Sequence, residues 1–325
     1  MRNIITILLL LVANCITAQS NQQFANIGDF TTVDGNIIKD CKVGYRTVGK
    51  INTEKTNAVL WPTWFTGTSE QVFGMLNNII DTTGLYVIIV DALTNGVSSS
   101  PSNMYEFPKI TIRDMVNSQY KLLTDHLNIS HLYAVMGISM GGMQTFEWLV
   151  AYPDFMDKAI PIVGNPNPSS YDILIFQTMA DIITKARQEE EDLNFAFKRA
   201  HNILLMNLHT PAYIAYNYKA DSLDVYINQF AATMKPEDYL GGLNAIISHD
   251  IYKSANSNPD NITNIIEADL LVIVASQDHL VNPILATTLA EKLRAQLVTL
   301  SGNCGHMAVF CETDKVKKTI AGFLN

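Results

Sequence analysis

The apolar residues of this chain gather into short unbroken runs, separated by polar stretches that carry glycine and proline. Such runs stand at 58–61, 86–90, 132–136, 159–163 and 270–274, and a further strand is read at 297–300, where Thr299 interrupts the apolar residues. None alternates apolar with polar as a half-exposed strand would. Runs of this length read as strands buried on both faces, which is the mark of a parallel sheet covered by helices. Residues 112–127 place Met115, Val116, Tyr120, Leu123 and Leu127 near helical spacing and predict an amphipathic helix. Up to about Asn57, shorter segments around the turn signal Asp34-Gly35 predict an antiparallel β lead-in. Residues 95–103 (NGVSSSPSN) form a loop by composition. Strand alternating with helix implies right-handed crossovers in a mostly parallel sheet. That pattern stops at residue 164. From 164 to 261 only helical stretches appear, at 173–186, 195–208 and 223–230, punctuated by Pro166, Pro168, Pro211 and Pro236. The expectation is a helical cap at 164–261, inserted into an α/β core made of 19–163 and 262–325. Glu189, Glu190, Glu191 and Asp192 in that insertion read as a solvated face.

One run leads to chemistry. Residues 132–136 pass into Gly137-Ile138-Ser139-Met140-Gly141 and then into a helix carrying Met143, Phe146, Trp148 and Leu149. Strand, G-x-S-x-G and helix in that order are the nucleophile elbow of the α/β-hydrolase fold, which is the fold class expected here. The spacing is steric: a sharp strand-to-helix corner strains its central residue and needs small neighbours. Gly137 and Gly141 supply them, and Gly142 adds room. Ser139 then projects its hydroxyl above the sheet edge, and the Met140 N–H at the helix start faces a developing oxyanion. The bland alternative is a tight turn in which Ser139 merely caps a helix.

Two later strand ends weigh against that alternative. Asp278 lies just past the run 270–274, and His306 follows the run 297–300 after a glycine-bearing loop. Serine, acid and histidine then occur in the order this fold requires. Imidazole accepts and returns a proton near neutrality, and a buried carboxylate orients it. His279 cannot meet Ser139 from the last loop, and Asp269 precedes its strand and so belongs to the other sheet edge.

Composition narrows the function further. The 325 residues are 48% hydrophobic and 16% charged, enough for a large core and unlike a disordered chain. A net charge of −9 argues against nucleic acid or an anionic membrane as partner. Arg2, the apolar stretch 4–12 and Ile16-Thr17-Ala18 before Gln19 read as a signal peptide at 1–18, too short to span a bilayer. An N-terminal anchor, or a lipoprotein signal at Cys15, is the alternative. The mature chain is expected without a membrane span and exported, to the periplasm or beyond. Cleavage would leave Cys41, Cys304 and Cys311. Cys304 and Cys311 are close enough to bridge in an oxidising compartment, but two buried thiols are the favoured expectation. Their spacing with His306 makes no convincing metal site, and neither metal nor cofactor is expected.

The chain also resembles the homoserine O-acetyltransferase family of α/β-hydrolase-fold proteins. The residues that carry the resemblance are 45–49 (YRTVG), 57–60 (NAVL), 65–68 (FTGT), 111–116 (TIRDMV), 137–144 (GISMGGMQ) with Glu147-Trp148, Tyr152-Pro153, and Asp278 with Gly305-His306. The resemblance implies that Ser139 is acylated and passes the acyl group on. It also implies oxyanion donors at the Met140 N–H and, by register on Thr66-Gly67, at Phe65, or at Trp64 if the register slips by one. Departures concern the substrate. The family's His-Ala pair is replaced by Pro62-Thr63-Trp64, and the cap arginine motifs of homoserine binders are missing from 164–261, where only Arg187 and Arg199 occur. A carboxylate in a dry pocket wants a forked arginine partner. The expected activity is therefore that of an exported serine hydrolase acting on a small-molecule ester or acyl substrate, with water as acyl acceptor. Acyltransfer, homoserine O-acetyltransfer included, and non-catalytic ligand binding are the rivals. A homodimer through the cap is one assembly open to it.

Overall fold

Residues 21–256 and 261–325 are described by a computed structural model; the expected export signal at 1–18 lies outside the described residues. The strands are β1 (Gln23–Asn26), β2 (Phe30–Thr31), β3 (Ile37–Ile38), β4 (Lys42–Gly49), β5 (Ala58–Pro62), β6 (Tyr86–Val90), β7 (Leu132–Ile138), β8 (Met156–Ile162), β9 (Asp269–Ala275) and β10 (Gln296–Leu300). Eight of them form one sheet in the order β1-β4-β6-β5-β7-β8-β9-β10. β1, β4 and β6 pair antiparallel, and every pairing from β6 to β10 is parallel. The apolar runs of the sequence are these parallel strands. Along β5, Ala58 and Leu60 pack on one face of the sheet while Val59 and Trp61 pack on the other, so a continuous apolar run serves two cores. β2 and β3 form a hairpin whose turn includes Gly35 at φ +82.

Helices α2 (Ile112–Lys121), α3 (Met140–Ala151) and α10 (Ile284–Leu293) pack on the first face, and α1 (Ser69–Ile79) and α12 (Thr313–Leu324) on the second. The helix expected over 112–127 changes character at Leu122: Leu127 N–H bonds the Leu122 carbonyl at 3.0 Å, an i→i−5 closure that accommodates one extra residue. Between β8 and β9 the described residues contain no strand. They hold α4 (Ser170–Gln188), α5 (Leu193–Leu208), α6 (Pro211–Asn217), α7 (Leu223–Ala231), α8 (Pro236–Ile247) and α9 (Ile251–Ser254). α4, α5 and α8 share a core with Phe65, Met140 and Met143, so these helices sit over the elbow. Glu189, Glu190, Glu191 and Asp192 are exposed at the α4–α5 turn, where the Asp192 carboxylate caps α5.

Candidate functional site

Ser139 occupies the corner between β7 and α3 at φ 58, ψ −120, a conformation that costs a non-glycine residue roughly 1–3 kcal/mol. Its surroundings hold it there. The Ser139 N–H donates to the Ile162 carbonyl at 2.8 Å, and its own carbonyl accepts from the Met143 N–H at 2.9 Å. A Cβ on Gly137 would lie 2.4 Å from the Gly141 backbone, and one on Gly141 would lie 2.6 Å from the Pro62 carbonyl oxygen. Gly142 faces Gly164, where an added Cβ would approach the Gly142 Cα to 2.8 Å. Gly164, just after β8, is thus part of the corner, and no sequence motif pointed to it.

Asp278 and His306 meet Ser139 at the carboxyl edge of the sheet. His306 Nε2 is 2.8 Å from Ser139 Oγ, and His306 Nδ1 is 2.6 Å from Asp278 Oδ2. Asp278 is buried, and its Oδ1 accepts the N–H groups of Leu280 at 2.9 Å and Val281 at 2.8 Å. Those bonds fix the carboxylate plane, which in turn fixes the imidazole and its tautomer. His279 is exposed and takes no part. Asp91, another carboxylate at a strand end, is fully engaged in structure. It accepts from Ser69 N and Oγ, Gln22 Nε2 and Asn95 Nδ2, all within 3.0 Å.

A second buried carboxylate supports the acid loop. Asp172, in the first turn of α4, accepts the Asn282 N–H at 2.9 Å, the Ser169 N–H at 2.9 Å and Asn165 Nδ2 at 2.8 Å. Burial pushes its carboxyl above the ordinary value, the hydrogen bonds pull it down, and the nearby Asp278 charge raises it again. On the other flank, Thr210 Oγ1 donates to the Asn303 carbonyl at 2.5 Å, and a Cβ on Gly305 (φ +67) would lie 3.0 Å from the Leu208 carbonyl oxygen. His209 lies in this contact, stacked on Tyr213 at 4.4 Å; burial lowers its pKa. Asp172 closes the capping box Ser169-x-x-Asp172 at the start of α4, but nothing in that motif ties it to the acid loop, and no motif marks His209.

The two cysteines differ from expectation. Cys304 and Cys311 form a disulfide, with Cα atoms 6.5 Å apart, and among the described residues Cys41 is a buried free thiol. The turn at 305–307 and the single helical turn α11 (Ala308–Cys311) fold the segment back on itself, which brings the two Cβ atoms within bridging range.

Trp64, Phe65, Thr66, Ser139, His306 and Phe310 border a cavity of about 220 Å³, completed by apolar side chains of α5, α7 and the acid loop. Met140 is the first residue of α3, where an N–H has no intrahelical acceptor, and Phe65 precedes Thr66 at φ 67 in the loop after β5. Apart from His306 the lining holds no cationic or acidic side chain. Arg187 and Arg199 are exposed, the latter over the Phe195 ring. Wider clefts exist elsewhere, such as one of about 430 Å³ bordered by Asp269 and Arg294, at the sheet edge opposite Ser139.

The model of the family described as alpha/beta hydrolase fold matches residues 59–313. The ethyl acetate hydrolase of Pseudomonas veronii is 36% identical over 171 residues, 50% of this chain and 49% of that protein. The chain spans about half the length of the first curated relatives it matches. A homoserine O-acetyltransferase of Methanosalsum zhilinae is 28% identical over an alignment of 349 residues, covering 90% of this chain and 70% of that protein. In three dimensions, an acetylester hydrolase from Corynebacterium glutamicum has a TM-score of 0.87 at 23% identity, covering 94% of this chain and 96% of the other. At that identity the likeness is one of fold. The resemblance to homoserine O-acetyltransferases is thus shared with esterases. The elbow at Ser139, the parallel sheet that carries it and a family match over most of the sequence lead to one statement: the chain belongs to the alpha/beta hydrolase fold family.

Proposed function

We propose that this chain is an exported serine esterase that hydrolyses small, uncharged esters through an acyl-enzyme. The observation that carries the reading is the hydrogen-bonded series Ser139–His306–Asp278, which opens onto a cavity of about 220 Å³ without a cation to receive a carboxylate. That volume is below the common range for drug-sized ligands, roughly 300–1,000 Å³, and suits a short acyl group. In the first half-reaction His306 Nε2 takes the Ser139 proton as Oγ bonds the ester carbonyl carbon. The N–H groups of Met140 and Phe65 receive the oxyanion. The tetrahedral species collapses, and His306 gives its proton to the departing alcohol. Water, deprotonated by His306, then attacks the acyl-serine; collapse releases the acid and returns the proton to Ser139. Asp278 stabilises the transient imidazolium throughout. Relatives named for ethyl acetate and acetyl-ester hydrolysis support the ester reading. The signal read at 1–18 supports water as the acceptor, since acetyl-CoA is a cytoplasmic cofactor.

Similarity to a homoserine O-acetyltransferase over 90% of the chain favours a second reading, transfer of the acyl group to an alcohol. Both are tested together: p-nitrophenyl acetate and butyrate on one side, homoserine with acetyl-CoA on the other, with product analysis. The expected outcome is saturable ester hydrolysis and no O-acetylhomoserine. Saturable O-acetylation of homoserine would replace the first reading by the second. For assembly we propose a homodimer through the cap, supported by the exposed Leu174, Met206 and Val225 on α4, α5 and α7.

A further inference from the structure

His306 stands on a single turn, Gly305–Met307, that runs directly into the four-residue helix α11. A helix this short has almost no stability of its own. Yet this segment supplies the proposed base, and Met307 and Phe310 from it wall the cavity. Phe310 also meets Trp64 edge to face at 6.4 Å, across the mouth from the oxyanion loop. The flanks are tied by ordinary contacts: Gly302 N–H to Glu312 Oε1 at 2.8 Å, and Thr210 Oγ1 to the Asn303 carbonyl at 2.5 Å. The segment itself is closed covalently, because Cys304 and Cys311 bracket it from residue to residue.

We propose that the Cys304–Cys311 disulfide is a positioning clamp for His306, so that thiol–disulfide exchange at this bridge sets the rate of acyl transfer. The inference rests on the reading of Ser139 and His306 as nucleophile and base. The two sulfurs are not equivalent. Cys304 is 5% exposed, in the core formed with Ala308 and Val309, whereas Cys311 is exposed. Exchange therefore begins at Cys311. A thiolate of a small dithiol attacks Cys311 Sγ, the S–S bond breaks, and Cys304 leaves as a thiolate and takes a proton. The reductant's second thiol then displaces Cys311 from the mixed disulfide. The protein gains two electrons and two protons, and the dithiol becomes a cyclic disulfide. Cys41 does not compete, since it is buried and burial holds its thiol protonated. Once the bridge is open, α11 keeps only non-covalent anchors, the buried Ala308 and Val309 and the hydrogen bonds at its flanks. The imidazole then samples positions from which Nε2 no longer reaches Ser139 Oγ.

The test compares oxidised protein, protein reduced with dithiothreitol, Cys311→Ser, and the double variant Cys304→Ala with Cys311→Ala. Four quantities are read: kcat and KM for p-nitrophenyl acetate, the rate at which a fluorophosphonate labels Ser139, thiol titration and the far-UV spectrum. Misplacing a catalytic group by about an ångström costs up to on the order of 10² in rate, so kcat and the labelling rate should fall roughly ten- to a hundredfold on reduction. KM and the far-UV spectrum should change little. Reoxidation restores the wild type, and both variants stay at the reduced level with or without dithiothreitol. The proposal is overturned if reduced protein, with Cys304 and Cys311 titrating as free thiols, keeps its labelling rate and kcat. Loss of the far-UV spectrum on reduction and in both variants also overturns it, because the bridge would then hold the fold rather than the base. If oxidised protein turns over no ester but is labelled at Ser139, the substrate reading fails and the labelling rate still decides the clamp. No labelling of the oxidised protein removes the nucleophile and the clamp together.

Discussion

Ser139 Oγ and Asp278 Oδ2 reach opposite nitrogens of one imidazole, and that division of labour separates their variants. Ser139→Ala should lower turnover on the order of 10⁴ to 10⁶, and Asp278→Asn on the order of 10⁴, both with unchanged far-UV spectra. If either variant, correctly folded, kept near-native turnover, the assignment would fail. His201 offers a test of a different kind. It is 1% exposed, stacked on Phe230 at 3.6 Å, and neither ring nitrogen has a hydrogen-bond partner. Burial pushes its pKa down to about 4. Between that value and the ordinary 6.5 the unfolded chain binds a proton that the folded chain refuses. This contribution to stability is therefore complete above pH 6.5 and is lost as pH falls toward 4, by at most about 1.4 kcal/mol per pH unit. Denaturant melts at stepped pH should show this slope, and His201→Phe should flatten it. At this scale the sequence was legible where residue type and strand end coincide, as at Ser139, Asp278 and His306. It showed Asp172 only as the close of a helix cap and was silent on His209, because the links of both to the loops of Asp278 and His306 come from distant segments.

Helices were legible in proportion to their periodicity, and proline misled. Pro211 and Pro236 read as punctuation, whereas each opens a helix, α6 and α8, at the position where a missing N–H costs nothing. The capping box of Thr68 and Gln71 marked the start of α1, but no buried run on the scale of the strands drew attention to it. The disulfide stood in the sequence only as the less favoured reading, because spacing alone does not reveal that 305–311 doubles back. Helix α8 matters to the site through one glycine. A Cβ on Gly242 would lie 2.8 Å from the Phe65 ring, which packs on Tyr239 at 4.7 Å. Gly242→Ala should shift the Phe65 backbone and lower kcat on the order of tenfold while the fold survives. Stopped-flow acylation would show it, and an unchanged acylation rate would remove Phe65 from the oxyanion site. Gly74, exposed in α1 with nothing within 4 Å of an added Cβ, makes the matching control. Gly74→Ala should stabilise by about 1 kcal/mol in chemical denaturation without touching activity.

At the scale of the molecule, the exposed apolar residues of the cap bear on assembly. Leu174 is 69% exposed, Met206 59% and Val225 56%, each on a different cap helix. Light scattering behind size exclusion should give twice the chain mass, and Leu174→Asp with Met206→Asp should halve it. A monomeric wild type at micromolar concentration would end the dimer reading. The hydrogen bond from Asn282 N–H to Asp172 bears on something else, namely how such a protein can be rebuilt. The insertion looks interchangeable, a module to be swapped for one that recognises another ester. Its first helix, however, carries the carboxylate that secures the loop of the acid, so the borrowed module would have to bring its own anchor. A chimera that keeps Ser169 and Asp172 from this chain and takes foreign sequence only after them retains that anchor. One joined at residue 164 inherits Ser139 and His306 in place with a loosened Asp278, and would pass for a failed specificity change when the fault lies in the splice.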